Sequence, residues 1–280
     1  MAKKVLHNKY SKEILLEKLE TENDHRTVIS FYKYAHITDP YFFRDMMYER
    51  WEKLGVLGRV YVAKEGVNGQ ISVPNHNIEA FKADLYTVSF LNGIRLNFAV
   101  KHEDKSFLKL KIKVRKKIVA DGLNDDTFDV TNKGVHLNAE DFNSITENPD
   151  TIVVDMRNHY ESEIGHMENA ICPDVDTFRE ELPLVVDMLK DKKDKPVVMY
   201  CTGGIRCEKA SAYLKHVGFE DVYQQYLENT SDLERLKQLD AWILDKISEL
   251  RNHHDPENQP LLNEFIRLLI EHHQQFDFLI

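Results

Sequence analysis

Tyr200-Cys201-Thr202-Gly203-Gly204-Ile205-Arg206-Cys207-Glu208-Lys209-Ala210 lies between a strand pattern and a helix pattern. Upstream, Pro196-Val197-Val198-Met199-Tyr200 is the apolar run of a parallel strand buried on both faces. Downstream, Glu208 to His216 reads as a helix, with Gly218 placed to end it. A cysteine therefore sits at the carboxyl end of a strand, in a short loop that feeds a helix N-terminus. Open α/β sheets place their chemistry at that point.

Gly203 and Gly204 open backbone angles closed to other residues. Such a loop turns successive N–H groups inward and makes a nest for an anion. The helix N-terminus adds positive potential, and Arg206 adds a full charge. All of these favour thiolate at Cys201, with the N–H groups of Thr202, Gly203, Gly204, Ile205 and Arg206 around it, and the thiolate is the nucleophilic form. A packed, inert cysteine is the plainer alternative. Cys207 reads equally well as a resolving thiol or a packed one.

The whole chain sets bounds on this reading. Its 280 residues suggest more than one domain, and a net charge of -10 excludes a generic polyanion binder. The 3 cysteines have no framework spacing, which points to a reducing cytoplasm rather than a disulfide scaffold. No apolar run has the length of a membrane span, and the N-terminus has no apolar signal core. No ligand spacing for a metal is present, so none is expected.

Residues 1–25 read as a polar lead-in with a helix from Ser11 to Leu19. Residues 26–119 alternate element types. Thr27 to Tyr34 is a strand, and Asp39-Pro40 opens a helix through Leu54. The segments from Gly58 and from Gly69 form a hairpin around a joint at Glu65-Gly66-Val67-Asn68. Asn77 caps a helix to Tyr86, and strands follow at Ile94–Val100 and Phe107–Val114. The order β-α-β-β-α-β is the ferredoxin-like α+β pattern. In the last strand Lys109, Lys111, Lys113 and Arg115 alternate with Leu110, Ile112 and Val114, and Lys116 and Lys117 extend the run. From Lys101 to Lys117 there are eight Lys or Arg against two acids. On an acidic protein this stripe suits a nucleic-acid backbone, and a solvated edge strand guarded by lysines fits it as well. Tyr61 and Phe107 lie near enough in sequence pattern to stack on a base or to fill the core.

Residues 120–145 have loop chemistry and read as a linker, with a short helix capped by Asn138 at its end. The second domain, 146–223, opens on the buried strand Thr151 to Asp155. Asp155 and Arg157 pair near the cysteine loop and hold it. His166 reads as a structural histidine and Cys172 as inert. Alternating strands and helices make this domain a doubly wound parallel α/β layer.

Cys-Thr-Gly-Gly-Ile-Arg-Cys-Glu-Lys-Ala resembles the active loop of rhodanese-like domains, and Asp155-x-Arg157 with Gly165-His166 and Ala170 resembles the rest of that pattern. More narrowly, Arg26 to Tyr34, Glu65 to Asn68 and the loop together are similar to the bacterial tRNA uridine-34 hydroxylase family, over about residues 5–223. The resemblance implies oxygen-dependent hydroxylation of uridine 34 of tRNA, with Cys201 as nucleophile or persulfide carrier. It implies tRNA as partner, molecular oxygen as co-substrate and no further cofactor. Thiosulfate or persulfide sulfur transfer, or a non-catalytic tRNA-binding adaptor, are the alternatives.

Residues 224–280 depart from that family. They hold no glycine and no cysteine, and two apolar stripes, Leu233 to Leu250 and Leu261 to Ile270, read as a helical hairpin. No feature of the sequence sets an oligomeric state.

Overall fold

The computed structural model describes residues 6–22, 24–99, 106–124 and 127–225. The helical hairpin expected over 224–280 lies outside them, apart from residues 224 and 225.

Helix α1 (Lys12–Thr21) begins where Ser11 accepts from the Ile14 amide. Only Leu19 of its apolar positions is buried; Ile14 is exposed. The first domain follows as β1 (Arg26–Tyr34), α2 (Pro40–Lys53), β2 (Leu57–Ala63), β3 (Gly66–Pro74), α3 (Ile78–Tyr86), β4 (Asn97–Phe98) and β5 (Leu110–Val114). Asp39 fixes the start of α2 by accepting from the Tyr41 and Phe42 amides, and Pro40 occupies the first turn where no donor is needed. Asn77 does not cap α3 with its side chain; it donates to the Leu54 carbonyl instead.

The strands pair in the order β4-β1-β3-β2-β5, with β5 parallel to β2 and the other neighbours antiparallel. The ferredoxin-like order is therefore extended by one edge strand. Two expected strands shorten: 94–100 contracts to β4, and 107–114 starts at Leu110. The hairpin turn is Lys64-Glu65, and Gly66 to Asn68 already lie within β3. The sequence placed the joint too late because Gly66 and Asn68 carry turn chemistry but serve other ends. Gly66 has φ of 145°, and a Cβ there would lie 2.1 Å from the Lys33 carbonyl oxygen.

Helices α2 and α3 cover one face of this sheet. Trp51 packs between Phe31, at 6.0 Å and edge-on, and Phe81, at 5.4 Å. Val60, Ile71, Leu110 and Ile112 complete that core.

The second domain holds β6 (Val135–Leu137), α4 (Ala139–Thr146), β7 (Ile152–Asp155), α5 (His159–Ile164), α6 (Phe178–Leu189), β8 (Val197–Tyr200), α7 (Ile205–His216) and β9 (Val222–Gln225). The sheet is parallel, in the order β6-β9-β8-β7. Helices α6 and α7 pack on one face and α4 on the other. Val135–Leu137, expected in a linker, is thus an edge strand; it is too short for its period to show in sequence. Gln224 and Gln225 close the sheet rather than open the tail, and buried Gln224 donates to the Gly134 carbonyl.

The domains are joined through α7. Lys209 is fully buried, and its Nζ lies 2.8 Å from Glu65 Oε2 and 2.7 Å from Asp121 Oδ2. The Asp121 contact is ionic rather than an aligned hydrogen bond. Glu65 also accepts from the Ile118 amide, and Asn68 donates to the Ile118 carbonyl. Tyr34, Ala63, Ile118, Phe128 and Ala212 seal this joint with apolar surface. Removing one partner of such a network leaves buried charge uncompensated. Lys209→Met is therefore expected to cost about 3–5 kcal/mol in denaturant unfolding. Lys82→Met, which breaks the exposed Lys82–Glu79 pair, should cost less than about 1 kcal/mol.

Candidate active site

Cys201 is the residue that follows β8, and α7 starts four residues later with Gly204 as its N-cap. Gly204 has φ of 81°, and a Cβ on it would meet the Tyr32 hydroxyl at 2.6 Å. Only glycine can make the turn and let Tyr32 approach. The loop is therefore braced by the first domain: Tyr32 donates to Glu208 at 3.1 Å, and Tyr34 donates to the Ile205 carbonyl at 3.0 Å.

Cys201 is buried, with 8% of the residue exposed. Its pKa falls to about 6, chiefly because the Cys207 thiol donates to it, against the opposing effect of burial. The Arg206 charge and the backbone N–H groups of Cys207 and Gly204 add to the effect. Cys207 moves the other way: burial and its donation to Cys201 push its thiol well up. The shifts favour thiolate at Cys201 at neutral pH, while Cys207 keeps its proton. The expected cradle was the amides of residues 202–206. Of these, the Gly204 amide is among the groups that lower the Cys201 pKa, together with the amide and thiol of Cys207 in the first turn of α7.

Arg206 is held by Glu161, with Nη1 to Oε2 at 3.0 Å, and Glu161 also accepts from Thr202 Oγ1 at 2.6 Å. Burial works against the Arg206 charge, but the Cys201 thiolate and Glu161 raise its pKa overall. Thr202 thus ties the loop to α5 by its side chain. On the other side Asp155, fully buried, receives Arg157 Nη2 at 2.7 Å and the Tyr200 hydroxyl at 2.8 Å. Arg157, Gly165, His166, Met167, Tyr200, Cys201 and Thr202 line an open depression of about 490 Å³. His166 uses Nδ1 on the Ser162 carbonyl, at 3.1 Å. Cys172 is half-buried, and burial raises its pKa.

Glu181, on α6, escaped the sequence reading because it sits among ordinary helix acids. It is fully buried, and neither carboxyl oxygen has a hydrogen-bond partner. Burial raises its pKa to about 9, opposed by Arg206 and assisted by Asp155 and Cys201. It is a neutral acid near the thiolate.

The basic stripe forms the outer edge of the first sheet. Lys109, Lys111, Arg115 and Lys116 are exposed, and Lys113 is half-buried. Lys111 and Arg115 lower the Lys113 pKa, a sign that these cations crowd one face. Lys117 does not join them: its Nζ binds Asp121 at 2.7 Å and the Leu123 carbonyl at 3.0 Å, within the domain joint. Sequence alone missed what lies beside the stripe. Register places Asn97, Ser30, Gln70, Arg59 and Lys111 in one row, and Tyr32, Asn68, Tyr61 and Lys113 in the next. The face turned away from α2 and α3 is thus polar, aromatic and cationic, from the basic edge to the loop. Arg115 stacks over Tyr61 at 5.5 Å, so Tyr61 belongs to this face.

Among the described residues no group of three His, Cys, Asp or Glu could hold a metal ion, and no helix is long and apolar enough to cross a membrane.

The parallel sheet with a cysteine in its strand-to-helix loop agrees with the match of residues 138–224 to the family model for the rhodanese-like domain. Residues 26–118 match the model for the UPF0176 acylphosphatase-like domain. The chain thus carries an acylphosphatase-like domain followed by a rhodanese-like domain. It is similar to a Leptospira interrogans protein named tRNA uridine(34) hydroxylase, 56% identical over 79% of this chain and 60% of that protein. Proteins of the same name from Photorhabdus laumondii and Escherichia coli O9:H4 are 56% and 54% identical over 78% of this chain, covering 62% and 63% of theirs. The chain spans about three-fifths of the length of these curated relatives.

Two outcomes test the site. Cys207→Ala removes the main donor to Cys201, so the thiolate titration, read by ultraviolet absorbance or alkylation rate, should move from about 6 upward by about 1–2 units; an unmoved midpoint would contradict the shared proton. For Glu181, the folded chain keeps a proton between its ordinary pKa of 4.5 and about 9, while the unfolded chain releases it. Stability therefore falls as pH rises through that window. Glu181→Gln should melt higher than the wild type by a margin that widens with pH, up to about 1.4 kcal/mol per pH unit.

Proposed function

We propose that this chain hydroxylates carbon 5 of uridine 34 in tRNA, with Cys201 as the reacting group and molecular oxygen as co-substrate. The observation that carries the proposal is a stabilised thiolate lining an open depression, at the inner end of a cationic sheet face. The names of the relatives supply the substrate.

The phosphates of the RNA lie along Lys109, Lys111, Lys113, Arg115, Lys116 and Arg59, which position the strand without reading its sequence. The edge strand β5 and β1 are three strand spacings apart, about 14 Å, so a few nucleotides span from the basic edge to the loop. The flipped uracil enters the depression over Cys201. Addition of the thiolate to carbon 6 places electron density on carbon 5, which then meets oxygen. One oxygen atom stays on carbon 5, and the other leaves as water with electrons and protons from an external reductant. Loss of the carbon 5 proton expels the thiolate. Arg206 and the Gly204 and Cys207 amides hold the sulfur as an anion at the start and at the end of this cycle. Arg157, fixed by Asp155, faces the same depression and offers a cation to the uracil carbonyls.

Nucleoside mass spectrometry of tRNA incubated with the chain, oxygen and a reductant tests this. 5-Hydroxyuridine should appear with the wild type and fall by at least about 1,000-fold with Cys201→Ser. A Cys201→Ser protein that works at the wild-type rate would rule out the covalent route. Thiocyanate formation from thiosulfate and cyanide, with tRNA unchanged, would replace hydroxylation by sulfur transfer.

A further inference from the structure

Against the Gly203-Gly204 turn lies a second cleft, of about 220 Å³, lined from both domains. Lys33 comes from β1, Arg95 from the segment before β4, and Lys133 and His136 from the edge of the second sheet. These residues are remote in sequence, so their convergence is a property of the docked domains. The acid that lines the cleft is Glu208. One of its oxygens takes Lys133 at 2.8 Å, and the other takes the Tyr32 hydroxyl at 3.1 Å. Lys33, Arg95 and Lys133 thus line the cleft with one carboxylate, which already accepts from Lys133 and Tyr32. His136 registers the excess: burial, then the charge of Lys133, lowers its pKa, with Lys33 adding to the effect and Glu208 only partly offsetting it. Asn97, Gln224 and Gln225 bring polar groups to the same walls.

We infer that this cleft binds a backbone phosphate of the RNA next to the target uridine, and so fixes which nucleotide reaches Cys201. The inference rests on the tRNA reading above and adds to it a subsite of stated chemistry. A concave cluster of cations with its acid already paired favours a dense anion. A phosphodiester is the anion that a nucleic acid must bring beside the loop once its uridine lies over the sulfur. Cys201 and Thr202 line the depression, and the next two residues of the same loop, Gly203 and Gly204, line the cleft, so a nucleotide in one has its neighbour's phosphate within a short reach of the other. The edge strand β5 gives attraction along the sheet; the cleft gives register.

The test uses the full chain and an RNA stem-loop bearing the target uridine, with single neutral methylphosphonate linkages placed in turn around that uridine. The variant is Lys33→Gln with Arg95→Gln, which leaves the Lys133–Glu208 pair in place; a melting curve matching the wild type confirms the fold, and each single substitution serves if the double one unfolds. One neutral linkage beside the uridine should weaken wild-type binding about tenfold. The variant should lose about tenfold on natural RNA, flatten the salt dependence by about 1–2 in log–log slope, and lose nothing further on the RNA neutralised at that linkage. Losses that simply add at every linkage overturn the subsite and leave the tRNA reading standing. A wild type that does not bind the stem-loop overturns the tRNA reading itself.

Discussion

Lys209 is the point on which this molecule turns. It is fully buried, and it is tied to Glu65 in the first domain and to Asp121 in the segment between the domains. A charge cannot stay in that position without these partners. The same helix that carries it is capped by Gly204 and supplies Cys207 and Glu208 immediately before it. Locking Lys209 therefore sets the height and rotation of α7 against the first sheet. That setting brings Tyr32 against Gly204 and lets Tyr34 meet the Ile205 carbonyl. The electrostatic joint and the nucleophilic loop are two ends of one rigid element.

The loop itself divides one proton between two sulfurs. Cys207 is pushed up and donates, and Cys201 is lowered to about 6 and accepts. Arg206 could not sit so close as an unpaired buried cation; Glu161 and Thr202 hold it in place. Near this centre the protein keeps an acid that would oppose the anion neutral: Glu181 stays protonated, with no hydrogen-bond partner for its carboxyl oxygens. A carboxylate there would compete with the thiolate for Arg206. Its neutrality leaves that charge to the sulfur.

Much of this was legible in the chain. Cys201 at a strand's end, the Asp155–Arg157 pair, the Asp39 cap with Pro40, and the alternation of Lys109 to Arg115 each follow from local pattern, because each depends on neighbours within a few residues. Other readings failed for reasons that are also physical. Glu65-Gly66-Val67-Asn68 carries turn residues, but Glu65 and Asn68 are there to hold residue 118, and Gly66 to pass close to β1. Val135–Leu137 is too short for a period and gains its strand identity only by pairing with β9. Lys117 looks like its basic neighbours and is bound inward instead, because Asp121 lies one chain turn away beside Lys209.

By itself, then, the sequence determined the two kinds of sheet, the place of Cys201 at a strand's end and the basic edge, all of which are written in spacing and in side-chain type. Only the tertiary structure decided which donors reach that sulfur, that Glu181 is neutral, and that Lys33, Arg95, Lys133 and His136 share one cleft. The reason is range. Periodicity and capping act across a few residues, whereas charge, burial and the sharing of a proton depend on what folding brings within a few ångströms from distant parts of the chain.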